Sequence, residues 1–252
     1  MVKICHIVDL NQDFQFELSA STADICIGVS QRIVSKLLPF NSNSFFINHG
    51  VVTHERSQNE PVILPGDRPI KALYLGNLSI PFLDWQTLYS CALHLDHVDF
   101  VFIGSNKDDF DPSRNHTHLQ KKHLSKLPNA YFMKAIPSEM IPLYVDAADL
   151  LLICYQEKYH KNQAVNPHKT MEYLLSGKVI VATLTEEYVS HGNLIPMTNS
   201  NSEYQSLLQE VTDKLGHYNN RHMMDARKAL AMANSYDKQV EKIEQLIIVH
   251  AS

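Results

Sequence analysis

The amino-acid sequence predicts an α/β protein in which a Rossmann-like parallel sheet is flanked by helices. Short apolar runs rich in β-branched residues alternate with longer segments of helical periodicity, which is the pattern of successive βαβ units. The chain can also bury a substantial core, since it has 252 residues, of which 44% are hydrophobic and 19% charged. These observations favour a globular fold of one large domain, or of one domain with part of another.

The individual elements follow from the spacing of the apolar residues. Short β-branched runs predict strands over residues 4–8, 25–29, 44–47, 71–75, 100–103, 130–133, 150–153 and 179–182. Apolar residues at helical spacing predict helices over residues 31–38, 83–94, 117–127, 139–147, 169–175, 203–215, 221–234 and 236–249. Asn201, Ser202 and Asn219 are the candidate N-terminal caps of the helices over 203–215 and 221–234.

A polar stretch that contains three prolines interrupts the alternating pattern. Pro61, Pro65 and Pro69, with Gly66 among them, fall within residues 53–69. Prolines and glycines of this density favour turns and extended chain over helices and strands. Residues 53–69 are therefore predicted to be a linker.

The linker separates two segments of unequal size. Residues 1–52 contain about three predicted strands, fewer than an independent parallel sheet needs, so this segment is predicted to be part of a Rossmann-like domain. Residues 70–235 have the length and element order of one complete Rossmann-like domain. Residues 236–252 are predicted to form a C-terminal helix that returns toward the N-terminal segment.

Composition argues against several classes of function. The net charge of −5 and the pI near 6.3 provide no basic face for nucleic acid. No apolar run reaches the roughly 20 residues that span a bilayer, and the N-terminus lacks the apolar region of a signal peptide. No GxGxxG follows a strand, which argues against a dinucleotide oxidoreductase. We expect a cytoplasmic protein with no nucleic-acid partner, and leave open a peripheral attachment to the inner membrane face.

Cysteine and histidine patterns predict neither a disulfide framework nor a metal site. The four cysteines lie in apolar or strand-like runs and form no CxxC pair: Cys5, Cys26, Cys91 and Cys154. They are predicted to be buried thiols in a reducing compartment. Two histidine pairs, His94 with His97 and His116 with His118, have no third ligand at a recognisable spacing, so we expect no metal.

The segment NPHKTMEYLLSGK, residues 166–178, carries the strongest functional signal. Pro167 suits the opening of a helix because its missing N–H has no partner to lose there, and Asn166 can cap the helix. The start of this helix is expected at the carboxyl edge of a parallel sheet, where free backbone amides and the helix dipole favour an anion. Gly177 is predicted only to end the helix.

Two charged residues in this helix suit a nucleoside diphosphate. Lys169 lies in the first turn and can place its charge near a phosphate, and Glu172 lies three residues later on the same face. A carboxylate there can accept hydrogen bonds from the two hydroxyls of a ribose. The alternative is a solvated ion pair on the surface of an ordinary amphipathic helix, and the helix alone does not separate the two interpretations.

Four segments, in the same order along the chain, resemble the GT-B glycosyltransferases. They are ADICIGVS with FINHGV (23–30 and 46–51), ALYLGNL (72–78), the run from FVFIG to IPLYVDAADL (100–150), and the segment from NPHKT to VIVAT (166–183). The first resembles the end of the family's N-terminal domain, and the second resembles the first strand and glycine-bearing loop of its C-terminal domain. The resemblance implies a GT-B C-terminal, nucleotide-sugar-binding domain with a partial N-terminal domain.

The resemblance also implies positions for the sugar donor. Gly76 and Asn77 lie where the family's loop faces the donor diphosphate, and a glycine there lets the backbone approach closely. Lys169 is placed at the same diphosphate and Glu172 at the ribose. A plain strand-to-helix turn remains the alternative for Gly76 and Asn77.

A third position implied by the resemblance is the nucleobase pocket. Lys134, Ala135 and Ile136 follow the strand that leads to this pocket in the family, and their backbone groups could contact the base edge. Tyr144 is interpreted as a core residue because it lies at helical spacing from Ile141. No metal cofactor is expected, and the resemblance assigns no catalytic residue.

The sequence departs from the family pattern at several points. Many retaining members carry a glutamate eight residues before the position of Glu172, where this sequence has Ala164, and Glu157 could replace it only through a folded-back loop. The arginine and lysine that often follow the first glycine are absent, which leaves Lys169 as the main phosphate-binding charge. The combination resembles most the branch that builds bacterial polysaccharides.

The resulting expectation is a glycosyltransferase, or its donor-binding part, that uses a nucleoside-diphosphate sugar and a glycan or lipid-linked acceptor. A second chain, or self-association, is expected to cover the incomplete N-terminal sheet. Asp9 and Asp13 are interpreted as surface loop acids. The alternative function is a non-catalytic binding or assembly module that keeps the fold, and a nucleotide-sugar epimerase of the same fold is disfavoured.

Overall fold

The computed structural model describes residues 1–9, 15–53, 61–105, 115–157 and 166–250. Its strands are β1 (Ile4–Ile7), β2 (Ile25–Gly28), β3 (Ser44–Phe46), β4 (Ile70–Leu75), β5 (Val98–Ile103), β6 (Ala130–Met133), β7 (Leu150–Ile153), β8 (Val179–Thr183) and β9 (Met197–Thr198). Its helices are α1 (Glu17–Thr22), α2 (Gln31–Leu37), α3 (Trp85–His94), α4 (Asn115–Leu124), α5 (Ile141–Asp146), α6 (Lys169–Ser176), α7 (Asn201–Asp213), α8 (Leu215–Tyr218), α9 (Arg221–Met232) and α10 (Tyr236–His250). Short 3-10 helices lie at Ser138–Met140 and Glu186–His191.

These elements form two parallel sheets. The smaller sheet has the strand order β1-β2-β3, and the larger has the order β6-β5-β4-β7-β8-β9. Every pairing between neighbouring strands is parallel. The predicted fold class is therefore confirmed, and the carboxyl ends of the strands within each sheet lie along one edge, where open α/β folds bind ligands.

Burial of the central strands holds the larger sheet together. Every residue of β5, β7 and β8 is buried, as expected for parallel strands covered by helices on both faces. Asp99 in β5 is fully buried near the amino edge of the sheet, where it forms ion pairs with Lys71 (2.5 Å) and Arg68 (3.2 Å). These ion pairs lie at the amino edge of the sheet, whereas the predicted ligand residues lie at the carboxyl edge.

The helix α10 lies against the smaller sheet. Ile243, Leu246 and Ile247 of this helix pack on a buried cluster formed by the small sheet: Ile25, Ile27 and Ile47. The chain reaches this position through a parallel bridge between Val51 and Ser235. The division of the chain into domains, with residues 236–252 as a separate C-terminal helix, stays a prediction.

Some local predictions were wrong. The sequence did not predict α1 or β9, and the two helix caps are each displaced by one residue. Ser200 caps α7, and Asn220 caps α9 by accepting a hydrogen bond from the amide of Met223. Asn219 accepts a hydrogen bond from the amide of Val179 (2.8 Å) and donates one to the carbonyl oxygen of Asp149 (2.7 Å) instead. Capping depends on which polar side chain precedes the first turn, and adjacent asparagines and serines cannot be separated by composition.

The prediction of buried thiols is confirmed, because all four cysteines are buried and free. In the part of the chain that the structure describes, no helix is both long and apolar enough to cross a membrane.

A buried arginine joins α9 to the rest of the larger domain. The Arg227 side chain is fully buried and donates hydrogen bonds from Nε to the carbonyl oxygen of Leu194 (2.7 Å) and from a terminal nitrogen to that of Gly177 (3.0 Å). Burial lowers the pKa of Arg227 to about 10, so the side chain stays charged at neutral pH. The guanidinium therefore fixes the end of α6, since Gly177 directly follows that helix.

We expect Arg227→Met to lower the free energy of unfolding by about 2–3 kcal/mol, because two buried carbonyl oxygens lose a charged donor. For a chain of this size, the corresponding decrease in melting temperature is roughly 5–10 °C. Arg221→Met on the same helix is the matched control, since the Arg221 side chain is 95% exposed and should change stability by less than about 0.5 kcal/mol. Equal melting temperatures for the two variants would contradict this assignment.

Candidate functional site

The loop after β4 approaches the end of β5 very closely. The Gly76 amide donates a hydrogen bond to the carbonyl oxygen of Ile103 (2.9 Å), and its φ of +149° lies in a region that favours glycine. A Cβ atom built on Gly104 would lie 1.6 Å from the carbonyl oxygen of Gly76, so position 104 also excludes a side chain. The two glycines thus fix the shape of the carboxyl edge at β4 and β5.

Helix α6 begins at the predicted residue, but its capping differs from the sequence prediction. The residue before the helix is His168, whose side chain makes no capping bond, and the side chain of Asn166 does not cap the helix. The amides of Thr170 and Met171 already donate to the carbonyl oxygens of Pro167 (2.9 Å) and His168 (3.1 Å). Because these two amides are engaged, the Lys169 side chain becomes the main candidate for holding an anion. The end of the helix is as predicted, since Gly177 follows it with φ +82°.

The Lys169 ammonium is enclosed by aromatic rings and the glycine loop. Its Nζ lies 3.9 Å from the ring centroid of Tyr74 and 5.8 Å from that of Tyr155. A Cβ atom built on Gly76 would lie 2.6 Å from this Nζ, so the missing side chain of Gly76 makes room for the ammonium. The structure thus brings together two of the predicted donor residues, Gly76 and Lys169, at the carboxyl edge of β4.

The described part of the chain provides no anion at contact distance from the Lys169 ammonium. Among the described residues it forms no ion pair within 4 Å and donates no side-chain hydrogen bond. Burial lowers the pKa of Lys169 to about 7, although the charge of Glu172 opposes this shift. A buried ammonium in this state is stabilised by any anion that enters the site.

Glu172 faces His168 rather than Lys169. The Glu172 carboxylate is 31% exposed and lies 4.0 Å from Nδ1 of His168. Burial raises the pKa of Glu172, and the charges of His168 and Lys169 lower it in part. The structure therefore lacks the solvated Lys169–Glu172 ion pair of the alternative interpretation.

The aromatic residues beneath Lys169 were not singled out from the sequence. The hydroxyl of Tyr173 accepts a hydrogen bond from the amide of Leu75 (2.8 Å) and so fixes α6 to the end of β4. Burial raises the pKa of Tyr74 and Tyr155, which keeps both hydroxyls neutral. In the sequence these tyrosines lie in apolar runs and cannot be distinguished from ordinary core residues. In the structure their rings also contact the Lys169 ammonium.

A second lysine that the sequence did not indicate supports the loop after Gly76. Lys121 of α4 is buried, donates a hydrogen bond from Nζ to the carbonyl oxygen of Leu78 (3.0 Å), and lies 5.2 Å from the ring centroid of Trp85. A lysine three residues before Leu124, on the apolar face of a predicted helix, was the available signal. Asn77 in the same loop is exposed and accepts a hydrogen bond from the amide of Ser79 (2.9 Å), as in a turn.

The predicted nucleobase residues lie at the outer end of the same edge. Lys134 and Ala135 follow β6 and are exposed, whereas Ile136 is half-buried and packs on the core. Strand β6 is the outermost strand, two positions from β4. The structure does not bring these residues into contact with Lys169, and their role stays a prediction. Tyr144 packs against the core, as interpreted from its spacing.

The small sheet also faces this site. Asn166 is buried, and its Nδ2 donates hydrogen bonds to the carbonyl oxygen of Val29 (2.7 Å) and to Oδ1 of Asn48 (2.7 Å). Its own carbonyl oxygen lies 2.8 Å from Nε2 of His49. Burial lowers the pKa of His49 to about 4, so the ring is neutral and donates this bond. The carboxyl edges of the two sheets therefore meet at Asn166, which precedes Lys169 by three residues.

Asp9 lies two residues after β1, at the carboxyl edge of the small sheet. It follows the end of β1 and is exposed, as expected for a loop acid, yet desolvation raises the pKa of Asp9. Burial raises the pKa of Tyr155, and the charge of Asp9 raises it further. Asp13 and Ala164 lie outside the described residues.

Among the residues that the structure describes, no group of three or more His, Cys, Asp or Glu side chains could hold a metal ion.

Comparison with known proteins shows where this architecture occurs. No protein-family model matches the sequence. The putative teichuronic acid biosynthesis glycosyltransferase TuaH of Bacillus subtilis (strain 168) is 27% identical over 121 residues, which is 48% of this chain. That stretch covers 28% of TuaH, so the chain matches well under half of this curated relative.

Two solved structures share this fold at low sequence identity. Anabaena HepE in complex with UDP matches with a TM-score of 0.70 and 14% identity over 98% of this chain and 72% of HepE. TarM of S. aureus matches with a TM-score of 0.67 and 12% identity over 96% of this chain and 49% of TarM. The chain therefore has the fold of the GT-B glycosyltransferases, which confirms the predicted resemblance.

We expect Lys169→Met to raise the melting temperature of the ligand-free protein. With the pKa of Lys169 near 7 in the folded state and near 10.5 when unfolded, burial opposes folding fully below pH 7 and progressively less up to pH 10.5. The variant should gain at least about 2 °C at pH 6.5 and almost nothing at pH 10, as measured by calorimetry.

The matched control is Lys71→Met, which removes a lysine that does have a buried partner. This change leaves Asp99 with Arg68 alone, so it should lower stability by about 3 kcal/mol at pH 6.5. If both variants lose stability, the Lys169 ammonium has a compensating partner, and the assignment of an open anion site is wrong.

Proposed function

We propose that this protein is a glycosyltransferase, or the donor-binding part of one, that uses a nucleoside-diphosphate sugar. The observation that carries the proposal is the Lys169 ammonium, which is enclosed beside Gly76 at the carboxyl edge of the sheet and contacts no anionic group among the residues that the structure describes. A diphosphate supplies the missing negative charge and fits against a backbone that has no side chain. In this proposal Lys169, Gly76 and the backbone at Asn77 hold the diphosphate.

The remaining donor contacts are proposed from their place along the same edge. Glu172, half-buried one turn into α6, would accept hydrogen bonds from the ribose hydroxyls. Lys134, Ala135 and Ile136, after the outermost strand, would line the nucleobase end of the site. A donor placed in this way runs along the sheet edge from β6 toward β4.

The compared proteins support uracil as the first base to test and a glycan as the acceptor class. HepE structures contain UDP and UDP-glucose, a TarM mutant was crystallised with UDP and alpha-GlcNAc-glycerol, and TuaH is named for teichuronic acid biosynthesis. We therefore propose a glycan or lipid-linked acceptor and a cytoplasmic site of action, at the inner membrane face when the acceptor is a lipid. Since the neighbours share less than 25% identity with this chain, their ligands serve here as probes.

Lys169 has a defined task in such a reaction. The acceptor oxygen bonds to the anomeric carbon while the bond from that carbon to the diphosphate oxygen breaks, and the leaving nucleoside diphosphate takes the electron pair. Negative charge therefore grows on the diphosphate in the transition state. An ammonium held by the Tyr74 ring and already freed of water stabilises this charge without further reorganisation.

We also propose that a protein surface covers the outer strand of the small sheet. Among the described residues β1 pairs only with β2, and Ile4 within the strand and Val8 directly after it are 39% and 50% exposed. An open strand edge with apolar side chains favours pairing with another chain. A second subunit or a second copy of this protein would satisfy both features.

The donor site is tested by titrating UDP-glucose into the protein in a calorimeter. We expect Lys169→Met to weaken binding by roughly 10- to 100-fold, because a charge-assisted contact of about 1.5–3 kcal/mol is lost. Lys214→Met is the control, since that side chain is 60% exposed in the turn between α7 and α8 and should leave the Kd unchanged. Equal affinity in both variants would refute diphosphate binding at Lys169.

The affinity for UDP-glucose should also fall as the pH rises from 6.5 to 8.5. In the ligand-free protein the pKa of Lys169 is about 7, so its side chain loses a proton in this pH range. Only the protonated ammonium attracts the diphosphate. The expected decrease approaches tenfold per pH unit above the pKa. UDP-glucose is the suitable ligand because its diphosphate has no terminal phosphate that titrates near pH 6, unlike UDP. Lys169→Arg should remove the pH dependence, and a persisting slope would assign it to another group.

A further inference from the structure

The side chain of His168 is held in one orientation at the start of α6, although it lies at the surface. Its ring is 45% exposed, yet Nε2 lies 3.1 Å from the hydroxyl oxygen of Tyr236. An edge-to-face contact with His49 places the two ring centroids 5.3 Å apart at an interplanar angle of 83°. A hydrogen bond on one side and an aromatic ring on another restrict the rotation of the His168 side chain.

Tyr236, the first residue of α10, is itself fixed where the two sheets meet. Its amide donates a hydrogen bond to the carbonyl oxygen of Val51 (3.1 Å), and the Val51 amide donates to that of Asn234 (3.1 Å). Its ring lies against the backbone of Gly50, since a Cβ atom built on Gly50 would lie 2.5 Å from a ring carbon. The hydroxyl that contacts His168 therefore has a position set by residues remote from α6.

The other ring nitrogen of His168 faces Glu172. The backbone of His168 is already helical and Glu172 is four residues later, so the two side chains lie on one face of the helix, one turn apart. Nδ1 lies 4.0 Å from a carboxylate oxygen, a distance that suits electrostatic attraction but exceeds that of a hydrogen bond. Among the described residues, no other basic side chain lies within 4 Å of this carboxylate.

The two contacts of His168 determine where its protons lie. A neutral histidine carries a proton on one ring nitrogen, and the carboxylate beside Nδ1 favours the proton there. The Tyr236 hydroxyl then donates to Nε2, which has the remaining lone pair. In the doubly protonated ring Nδ1 also carries a proton, so in both forms an N–H group is directed at Glu172.

Glu172 needs such a neighbour if it is to accept hydrogen bonds. Burial raises the pKa of its carboxyl group, and the charges of His168 and Lys169 lower it in part. An ionised carboxylate accepts hydrogen bonds at both oxygens, whereas a protonated carboxyl group donates one. The Lys169 ammonium lies against the ring of Tyr74, which leaves His168 as the group nearest to the carboxylate.

We propose that His168 is a positioning residue that orients the Glu172 carboxylate toward both hydroxyls of the donor ribose, and that Tyr236 fixes the His168 ring for this task. This inference rests on the proposed function. A carboxylate oriented in this way accepts a hydrogen bond from each hydroxyl of a ribose and only one from a 2′-deoxyribose. The three residues therefore make the protein prefer ribonucleotide donors to 2′-deoxyribonucleotide donors.

The experiment compares UDP-glucose with its 2′-deoxyribose analogue, each titrated into the full chain in a calorimeter. The wild-type protein should bind UDP-glucose at least about tenfold more tightly, because the analogue lacks one hydrogen bond to a charged group. His168→Ala should weaken binding of UDP-glucose about tenfold and of the analogue about twofold, so the ratio of the two affinities falls below about threefold. A role in folding alone would weaken both ligands equally and preserve this ratio.

Further variants separate orientation from packing. His168→Asn keeps an amide N–H near the position of Nδ1 and should retain most of the preference for ribose. Tyr236→Phe should lower the preference about threefold, because the histidine ring loses its hydroxyl partner. In the Glu172→Gln background, His168→Ala should cause no further change in the ratio. The matched control is His222→Ala, which changes an exposed histidine of α9 and should leave both affinities unchanged.

Several results would overturn the role of His168. These are equal affinity of the wild-type protein for the two ligands, an unchanged ratio in His168→Ala, and an effect of His168→Ala on the ratio that persists without the Glu172 carboxylate. If His168→Ala does not fold, Tyr236→Phe and His168→Asn decide by the same ratio, and an unchanged ratio in Tyr236→Phe contradicts the proposal. A wild-type protein that binds no nucleoside-diphosphate sugar would instead overturn the proposed function, and this inference with it.

Discussion

The hydrogen bonds of one buried asparagine hold the two parallel sheets edge to edge. Asn166 belongs to the large domain by sequence, yet its side chain bonds to Val29 and Asn48 of the small sheet, and its carbonyl oxygen bonds to His49. These bonds lie in a buried environment, where an unpaired polar group is costly, so they favour a single arrangement of the sheets. This contact determines the position of α6 and of the residues within it, including Lys169 and Glu172.

Within that arrangement, local stability and ligand binding are in opposition at Lys169. Folding removes water from the ammonium and offers it the faces of Tyr74 and Tyr155, which compensate only part of the lost hydration. An anion supplied from outside completes the compensation. The incompletely compensated dehydration of Lys169 therefore lowers the stability of the free protein and favours binding of an anion. This is common where a site is preorganised for a charged ligand.

The sequence predicted most of the architecture because its apolar residues repeat with clear strand and helix periods. Strands β6 and β7 and the start of α6 match to the residue, and the pairing of Gly76 with Lys169 at one edge follows from the order of the parallel strands. Periodicity does not specify which way a polar side chain turns. Asn166 has the sequence context of a helix cap, and only its tertiary contacts show that it bonds to another sheet instead. Tyr74 and Lys121 were not predicted as site residues for the same reason, since their roles depend on neighbours that are distant in sequence.

The packing of α10 has a consequence for how this chain reaches its fold. Ile243, Leu246 and Ile247 cover isoleucines of the small sheet that precede them by about 200 residues, so the contact is among the most non-local in the molecule. During synthesis the small sheet leaves the ribosome before α10, and its apolar face stays uncovered until the residues between them have been translated. In that interval Ile25, Ile27 and Ile47 form an exposed apolar surface of the kind that makes partly folded chains prone to aggregate, and burial of this surface follows the synthesis of α10.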